Sequence, residues 1–220
     1  MIKSLQTDLK QEDIIKNIVD LHNEGKAIEL DLTYSKWVFY KSGVVQEPKY
    51  KVDLNYVGED IINCDFTNTP FENETIESIM FDPPFLITGK TYKENKEGSS
   101  IIAKRFTGYH SWDELKQSYI GALRESFRLL KKNGILIVKC QNTVSSGKQH
   151  FSHFLILKVA MELGFYPIDE FVLQAKSKIT SFGGRWKTQK HAMKMHSYFL
   201  VFKKTKNKVN YETTWSKKFK

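Results

Sequence analysis

The sequence predicts an α/β fold: a mainly parallel sheet of seven strands with an antiparallel edge strand. Three observations predict it. Short apolar runs alternate with segments of helical periodicity along most of the 220 residues. Two strand-like runs come late in the chain, after the alternation has ended, which suits an antiparallel addition to a parallel sheet. Finally, 40% of the residues are hydrophobic, enough for one ordinary core, and fifteen Phe and ten Tyr argue against a disordered chain.

Taken in order, residues 11–23 place Ile14, Ile15, Ile18, Val19 and His22 at helical spacing, and Gly25 breaks the run. Strands follow at 27–32, 50–55, 60–65 and 77–82, the fourth stopped by two prolines that cannot continue a ladder. The stretch from Leu86 to His110 is polar and too long for a plain connection. Ser111-Trp112-Asp113-Glu114 then has the form of a capping box, with the Ser111 hydroxyl accepting the Glu114 N–H and the Glu114 side chain reaching back. The helix it opens extends to about Lys132, with Leu115, Tyr119, Leu123, Phe127 and Leu130 on one stripe and Gly134 at the exit. Residues 135–140 form a fifth strand, 152–164 a helix, and 170–176 and 197–203 two further strands. One domain over 1–204 is expected, with 86–110 a lid or recognition loop, 177–195 a basic recognition segment and 205–220 a basic tail in which Trp215 and Phe219 could dock.

The formal net charge is +9 and the pI about 9.3. Such a balance favours a polyanionic partner but also describes many proteins without one. Its distribution is more telling: between Glu170 and Glu212 lie ten Lys or Arg and no Asp or Glu. Cys64 and Cys140 sit in apolar runs and read as buried free thiols of a reducing compartment. The N-terminus lacks the apolar core of a signal peptide, and no stretch approaches the roughly 18 apolar residues of a membrane span. A cytoplasmic protein with no membrane partner is expected.

The chemistry concentrates at Asp82-Pro83-Pro84-Phe85. Ligands of open α/β sheets bind beyond the carboxyl ends of the strands, where this tetrapeptide falls. Pro83 can present its carbonyl outward, and Pro84 has no N–H to compete for it. Asp82 adds a second acceptor, and two acceptors suit one exocyclic NH₂ group. The lone pair of such an amine is delocalised into its ring. Accepting both N–H bonds favours a pyramidal nitrogen that can attack an electrophilic methyl in line, so orientation supplies most of the rate. Phe85 offers a ring for the base to stack on. A bare D-P-P-F reads better as a proline-terminated strand end with a solvated Asp; its place between a fourth strand and a long polar loop favours the chemical reading.

These residues carry a resemblance. The stretches 27–40, 52–56, 63–86, 114–142 and 196–204 are similar to the class I S-adenosylmethionine-dependent methyltransferases. Within them they resemble the amino-methylating DNA methylases of the N6-adenine/N4-cytosine group, in particular small phage-type members such as accompany restriction–modification. The resemblance implies a Rossmann-like class I fold, S-adenosyl-L-methionine as cofactor and DNA as partner. By the same resemblance, Asp31, Thr33, Tyr34 and Ser35 hold the methionine part of the cofactor. Asp53, 22 residues beyond Asp31, binds its ribose hydroxyls, and Asp65 with Phe66 its adenine. A strand-end Asp capping a loop is the plain alternative for each. The family's G-x-G turn is replaced by Ser35 and Trp37: either the loop takes another path or cofactor binding is weakened. The span from Asp31 to Tyr50 is also short for a crossover helix.

Lys104, Arg105, Phe106 and Tyr109 mix cations with aromatics, as do Arg185, Trp186, Lys187, Lys190 and Lys194. Phosphate contact with base stacking is one reading and a solvated basic face the other. A target base in a duplex has to be flipped out to reach Asp82. His150/His153 and His191/His196 lack a partner Cys or carboxylate, so no metal is expected. Asp in first place of the tetrapeptide resembles adenine enzymes more than cytosine-N4 enzymes. The reading is therefore methylation of N6 of adenine in DNA. The alternatives are N4 of cytosine, adenine in RNA, or a non-catalytic nucleic-acid-binding protein that kept the fold. Recognition could lie in the two basic segments, a homodimer or a partner.

Overall fold

The structure is a computed structural model that describes residues 2–7, 9–35, 39–55, 58–85, 87, 108–175 and 190–205. In chain order the elements are β1 (Leu5–Gln6), α1 (Gln11–His22), β2 (Leu30–Asp31), β3 (Tyr50–Asp53), β4 (Ile61–Asn63), β5 (Ile76–Phe81), α2 (Trp112–Leu129), β6 (Leu130–Cys140), β7 (Thr143–Ser145), β8 (Lys148–His150), α3 (Ser152–Leu163), β9 (Phe165–Gln174) and β10 (His196–Lys204).

Eight strands form one sheet in the order β1-β9-β10-β6-β5-β2-β3-β4. The seven strands expected from the sequence make up its body, and Leu5–Gln6 adds a two-residue strand parallel to β9. Strands β2 to β6 are mutually parallel. The antiparallel member, β10, lies between β6 and β9 and pairs with both. The fold is the Rossmann-like α/β class expected.

Side-chain alternation along β6 explains the two-sided core. Leu136, Val138 and Cys140 face α2 and α3, where they meet Phe81, Leu115, Tyr119, Leu123, Ile156, Ala160 and Phe202. Ile135 and Ile137 face the other way and pack with Ile14, Ile18, Met80, Phe199 and Val201 around α1. Part of that second layer is not helical. Phe39, Tyr40 and Val45, from the span between β2 and β3, are buried on the sheet beside α1. Among the described residues of this span, aromatic side chains from turns cover the sheet beside α1.

Two local details differ from the sequence expectation. Helix α2 ends at Leu129, not near Lys132, because Leu130 already pairs with Ile76 and opens β6. Asn133, at φ +67, sits at the irregularity of that pairing, and Gly134 lies inside the strand. At the other end of α2, the Ser111 hydroxyl accepts the Glu114 N–H at 3.2 Å as expected. The Glu114 carboxylate, however, accepts the His110 N–H at 2.9 Å. No helix among the described residues is long and apolar enough to cross a membrane.

Candidate active site

Pairing register assembles the carboxyl edge of the sheet. Asp31 aligns with Met80 on one side and Lys51 on the other. Asp82 and Asp53 therefore lie two residues further along their own strands, and Asp53 aligns with Asn63 of β4, two residues before Asp65. The sequence-predicted residues on β2, β3, β4 and β5 thus share one edge.

Thr33 ties the first of these loops to the tetrapeptide. Its hydroxyl accepts the Asp82 N–H at 2.8 Å, and its own N–H donates to Asp31 Oδ1 at 2.8 Å. Asp31 is 1% exposed, and the Tyr40 hydroxyl donates to its Oδ2 at 2.7 Å. Burial pushes its carboxyl up to about 7, against the lowering effect of the Tyr40 and Thr33 bonds. It anchors the loop from inside and presents no edge to solvent. Tyr34 is buried too, stacked on Tyr40 at 5.7 Å with the Lys51 ammonium 5.0 Å from its ring centroid. Burial pushes the Tyr34 phenol up to about 12.

Asp82 is half-buried and meets a partner that the sequence reading missed. Lys139 Nζ donates to Asp82 Oδ2 at 3.0 Å, and Lys139 is 7% exposed. Its ammonium lies 5.3 Å from the ring centroid of Phe39, 5.6 Å from that of Phe85 and 5.9 Å from that of Phe199, within cation–π range of three faces. Burial holds the Asp82 carboxyl above its ordinary value, and Lys139 opposes that rise. The signal was present in the run ILIVKC: a lysine at the inward-facing position of a core strand needs a partner. Pro83 is buried, and Pro84 and Phe85 are half-buried.

The cofactor-side residues fit an S-adenosylmethionine-sized ligand in part. Asp53 accepts the Ser35 N–H at 3.2 Å and the Asn55 N–H at 2.7 Å, which orient a half-buried carboxylate at the end of β3. Asp65 is exposed at the end of β4, its Oδ1 accepting the Thr67 N–H at 2.8 Å and hydroxyl at 2.7 Å. Phe66 beside it is half-buried, 5.1 Å from the Phe81 ring. An oriented carboxylate for a diol and an aromatic wall for a purine are groups such a ligand needs; the Asp31 carboxylate is buried against Tyr40 and Thr33. Ser35 stands at the end of that loop, and Trp37 lies outside the described residues.

Of the nucleic-acid candidates, Lys190 is exposed and Lys194 half-buried. Lys104, Arg105, Phe106, Arg185, Trp186 and Lys187 lie outside the described residues, as do most of 86–110 and 177–195 and the tail after Thr205. Tyr109 donates to or accepts from Ser118 at 2.5 Å on α2. His153 and His196 converge on Tyr198: His153 stacks on its ring at 4.5 Å, and His196 Nε2 is 2.9 Å from its hydroxyl. Among the described residues no three metal-ligating side chains come together.

A sequence profile described as DNA methylase, that of the N6/N4 methylases, matches residues 76–220, from the first residue of β5 onward. The chain belongs to this DNA methylase family. Solved structures with the same fold include a 1,6-didemethyltoxoflavin-N1-methyltransferase of Burkholderia thailandensis with bound S-adenosylhomocysteine. It is 12% identical, with a TM-score of 0.51 over 90% of this chain and 80% of that one. A [4+2]-cyclase is 13% identical, with a TM-score of 0.52 over 88% and 81%, so the fold by itself does not decide the reaction. A Thermus thermophilus protein provisionally named a DNA modification methylase, complexed with S-adenosyl-L-methionine, is 18% identical over 63% of this chain, with a TM-score of 0.41. The chain spans about half (51%) of that protein's length. No curated protein sequence matches the chain.

Proposed function

We propose that this DNA methylase family member transfers a methyl group from S-adenosyl-L-methionine to the exocyclic amine of a DNA base, most simply N6 of adenine, within one catalytic domain spanning 1–204. The observation that carries the proposal is Asp82: a half-buried carboxylate at the carboxyl end of β5, pinned through Oδ2 by Lys139 and through its backbone N–H by Thr33. With Oδ2 held, Oδ1 is the oxygen directed to an incoming N–H, and the Pro83 carbonyl beside it is the natural second acceptor. Phe85 supplies the stacking face, and its ring is itself held against the Lys139 ammonium.

The cofactor would be held by Asp53 at the ribose and by Asp65 with Phe66 at the adenine, on a loop shaped by Asp31, Thr33, Tyr34 and Ser35. It supplies an electrophilic methyl. The chain's residues orient the amine, accept its N–H bonds so that the lone pair points out of the ring plane, and exclude water from the reacting atoms. Lys190 and Lys194, with Lys104, Arg105, Arg185 and Lys187 of the basic segments, suit contact with the phosphates. Asp in first place of the tetrapeptide favours adenine over cytosine.

Labelled S-adenosylmethionine, offered with DNA and RNA and followed by nucleoside analysis, tests this reading. Label in N6-methyladenine of DNA is expected, and Asp82→Ala should lose it by at least about a hundredfold while the fold survives. Label in N4-methylcytosine or in RNA alone would reassign the acceptor. Failure of the folded protein to bind S-adenosylmethionine at millimolar concentration would leave a non-catalytic nucleic-acid-binding protein.

A further inference from the structure

The hairpin β7–β8 follows directly on the carboxyl end of β6, the strand that carries Lys139. It therefore stands on the same edge of the sheet as Asp82. Its turn, Ser146-Gly147, has φ +50 and +74, the left-handed pair of a tight two-residue hairpin. Trp112 of α2 stacks on His150 at 4.4 Å and 13°, and His191 Nε2 donates to the Gly147 carbonyl at 3.2 Å. The hairpin is thus braced on one side by α2 and on the other by the segment that enters β10.

What this braced platform displays is unusual. Phe151 is 56% and Phe154 65% exposed, at the N-cap and in the first turn of α3. Isolated exposed apolar residues need no explanation, but these two phenylalanines lie three residues apart at the start of one helix, and Val144 of β7 and Met193 of the bracing segment are exposed as well. Phe151 also occupies an N-cap position with no side-chain cap bond, where Ser, Thr, Asp or Asn would stabilise the helix by about 1 kcal/mol. Lys148 lies on β8 three residues before Phe151, Lys190 and Lys194 belong to the segment that His191 ties to the hairpin turn, and neither 141–154 nor 190–196 contains a carboxylate. Asp113 and Glu114, next to Trp112, mark the border of this platform.

Rings for bases, ammonium groups for phosphates and no carboxylate between them are complementary to a nucleic-acid strand with unstacked bases. A second copy of this chain would bring the same three lysines against each other. We propose that hairpin β7–β8, the start of α3 and residues 190–194 form a nucleic-acid docking face. Phe151 and Phe154 stack on bases exposed when the target nucleotide leaves the helix, and Lys148, Lys190 and Lys194 hold the adjoining phosphates. The proposal rests on the methylation reading for what the strand is brought to Asp82 to undergo; docking itself can be measured without methyl transfer.

The test uses the full chain and fluorescein-labelled 20-mer duplexes, one fully paired and one with a single abasic site, in a salt titration. Phe151→Ala with Phe154→Ala should weaken binding to the abasic duplex by about tenfold or more, with a smaller effect on the paired duplex. Lys148→Ala, Lys190→Ala and Lys194→Ala together should weaken both alike and flatten the slope of log Kd against log salt by up to about three. Ultracentrifugation of the Phe variant should match wild type. Wild type that binds neither duplex, variants that bind as wild type does, or a wild-type dimer that the Phe variant splits without loss of DNA affinity would each overturn the proposal. Wild type that binds DNA and never methylates it would sink the methylation reading and leave the docking face standing.

Discussion

Replacing Lys139 with Met keeps most of the stem that packs between Phe39, Phe85 and Phe199 and removes the ammonium from Asp82. The side chains of the pair are 9% and 18% exposed, with 3.0 Å between Nζ and Oδ2. At an effective dielectric of about 20, unit charges at that distance attract by about 5 kcal/mol, an upper value because water enters when the ammonium leaves. Breaking one side of a buried pair commonly costs about 3–5 kcal/mol. A quarter of the Coulomb figure already changes the acid dissociation of Asp82 tenfold. The sign follows from burial: the Asp82 carboxyl already sits above its ordinary value, and the variant raises it further. Stability from such a group is present below the ordinary carboxylate range and is lost as pH rises through the raised folded value. Urea unfolding of wild type and Lys139→Met from pH 4.5 to 7.5 should therefore show a gap that widens with pH. The acid limb of methyl transfer should move to higher pH in the variant, and Lys139→Arg should restore most of it. A gap of the same size at every pH would show that Lys139 serves packing alone and would refute the reasoning.

Two further outcomes rest on neighbouring contacts. Asp31, held near 7 by burial, contributes stability that is complete below about pH 4 and lost as pH rises to about 7, by about 4 kcal/mol over that range; Asp31→Asn should abolish this component, so thermal melts of variant and wild type that run parallel from pH 4 to 7.5 would contradict it. Gly121 sits where α2 crosses the β4 exit loop, and an added Cβ would lie 2.6 Å from Thr67 Cγ2 and 3.2 Å from Thr67 Cβ. The Asp65 carboxylate holds that threonine in place, so Gly121→Ala should destabilise by about 1–2 kcal/mol in chemical denaturation, where an open helical site would gain about 1.

Much of this arrangement was legible because it depends on short-range rules. Short, nearly continuous apolar runs such as ILIVKC and SYFLVFK marked β6 and β10, and the spacing of Leu115, Tyr119 and Leu123 marked the buried face of α2. The Ser111 cap fixed where that helix begins. The aspartates at strand ends fell on one edge because parallel register aligns the ends of neighbouring strands. What escaped was set by partners distant in sequence. Lys139 reads as an oddity in a core strand until β5 brings Asp82 beside it, 57 residues away. Asp31 reads as a ligand group until Tyr40 folds back over it. The hairpin β7–β8 has no β-branched alternation, and its brace comes from Trp112 and His191.

The position of β10 carries a consequence for how the chain is made. Its neighbours β6 and β9 are both synthesised earlier, yet β10 lies between them and pairs with each over most of its length. Until residues 196–204 emerge, the strand bearing Lys139 has an unpaired flank, and β9 has no route to the rest of the sheet. A chain halted before His196 would thus present two long, apolar, open edges, the condition under which strands pair with the wrong molecule. Emergence of residues 196–204, rather than the earlier docking of α1 or α2, would then time the closing of the sheet and the burial of the Asp82–Lys139 pair.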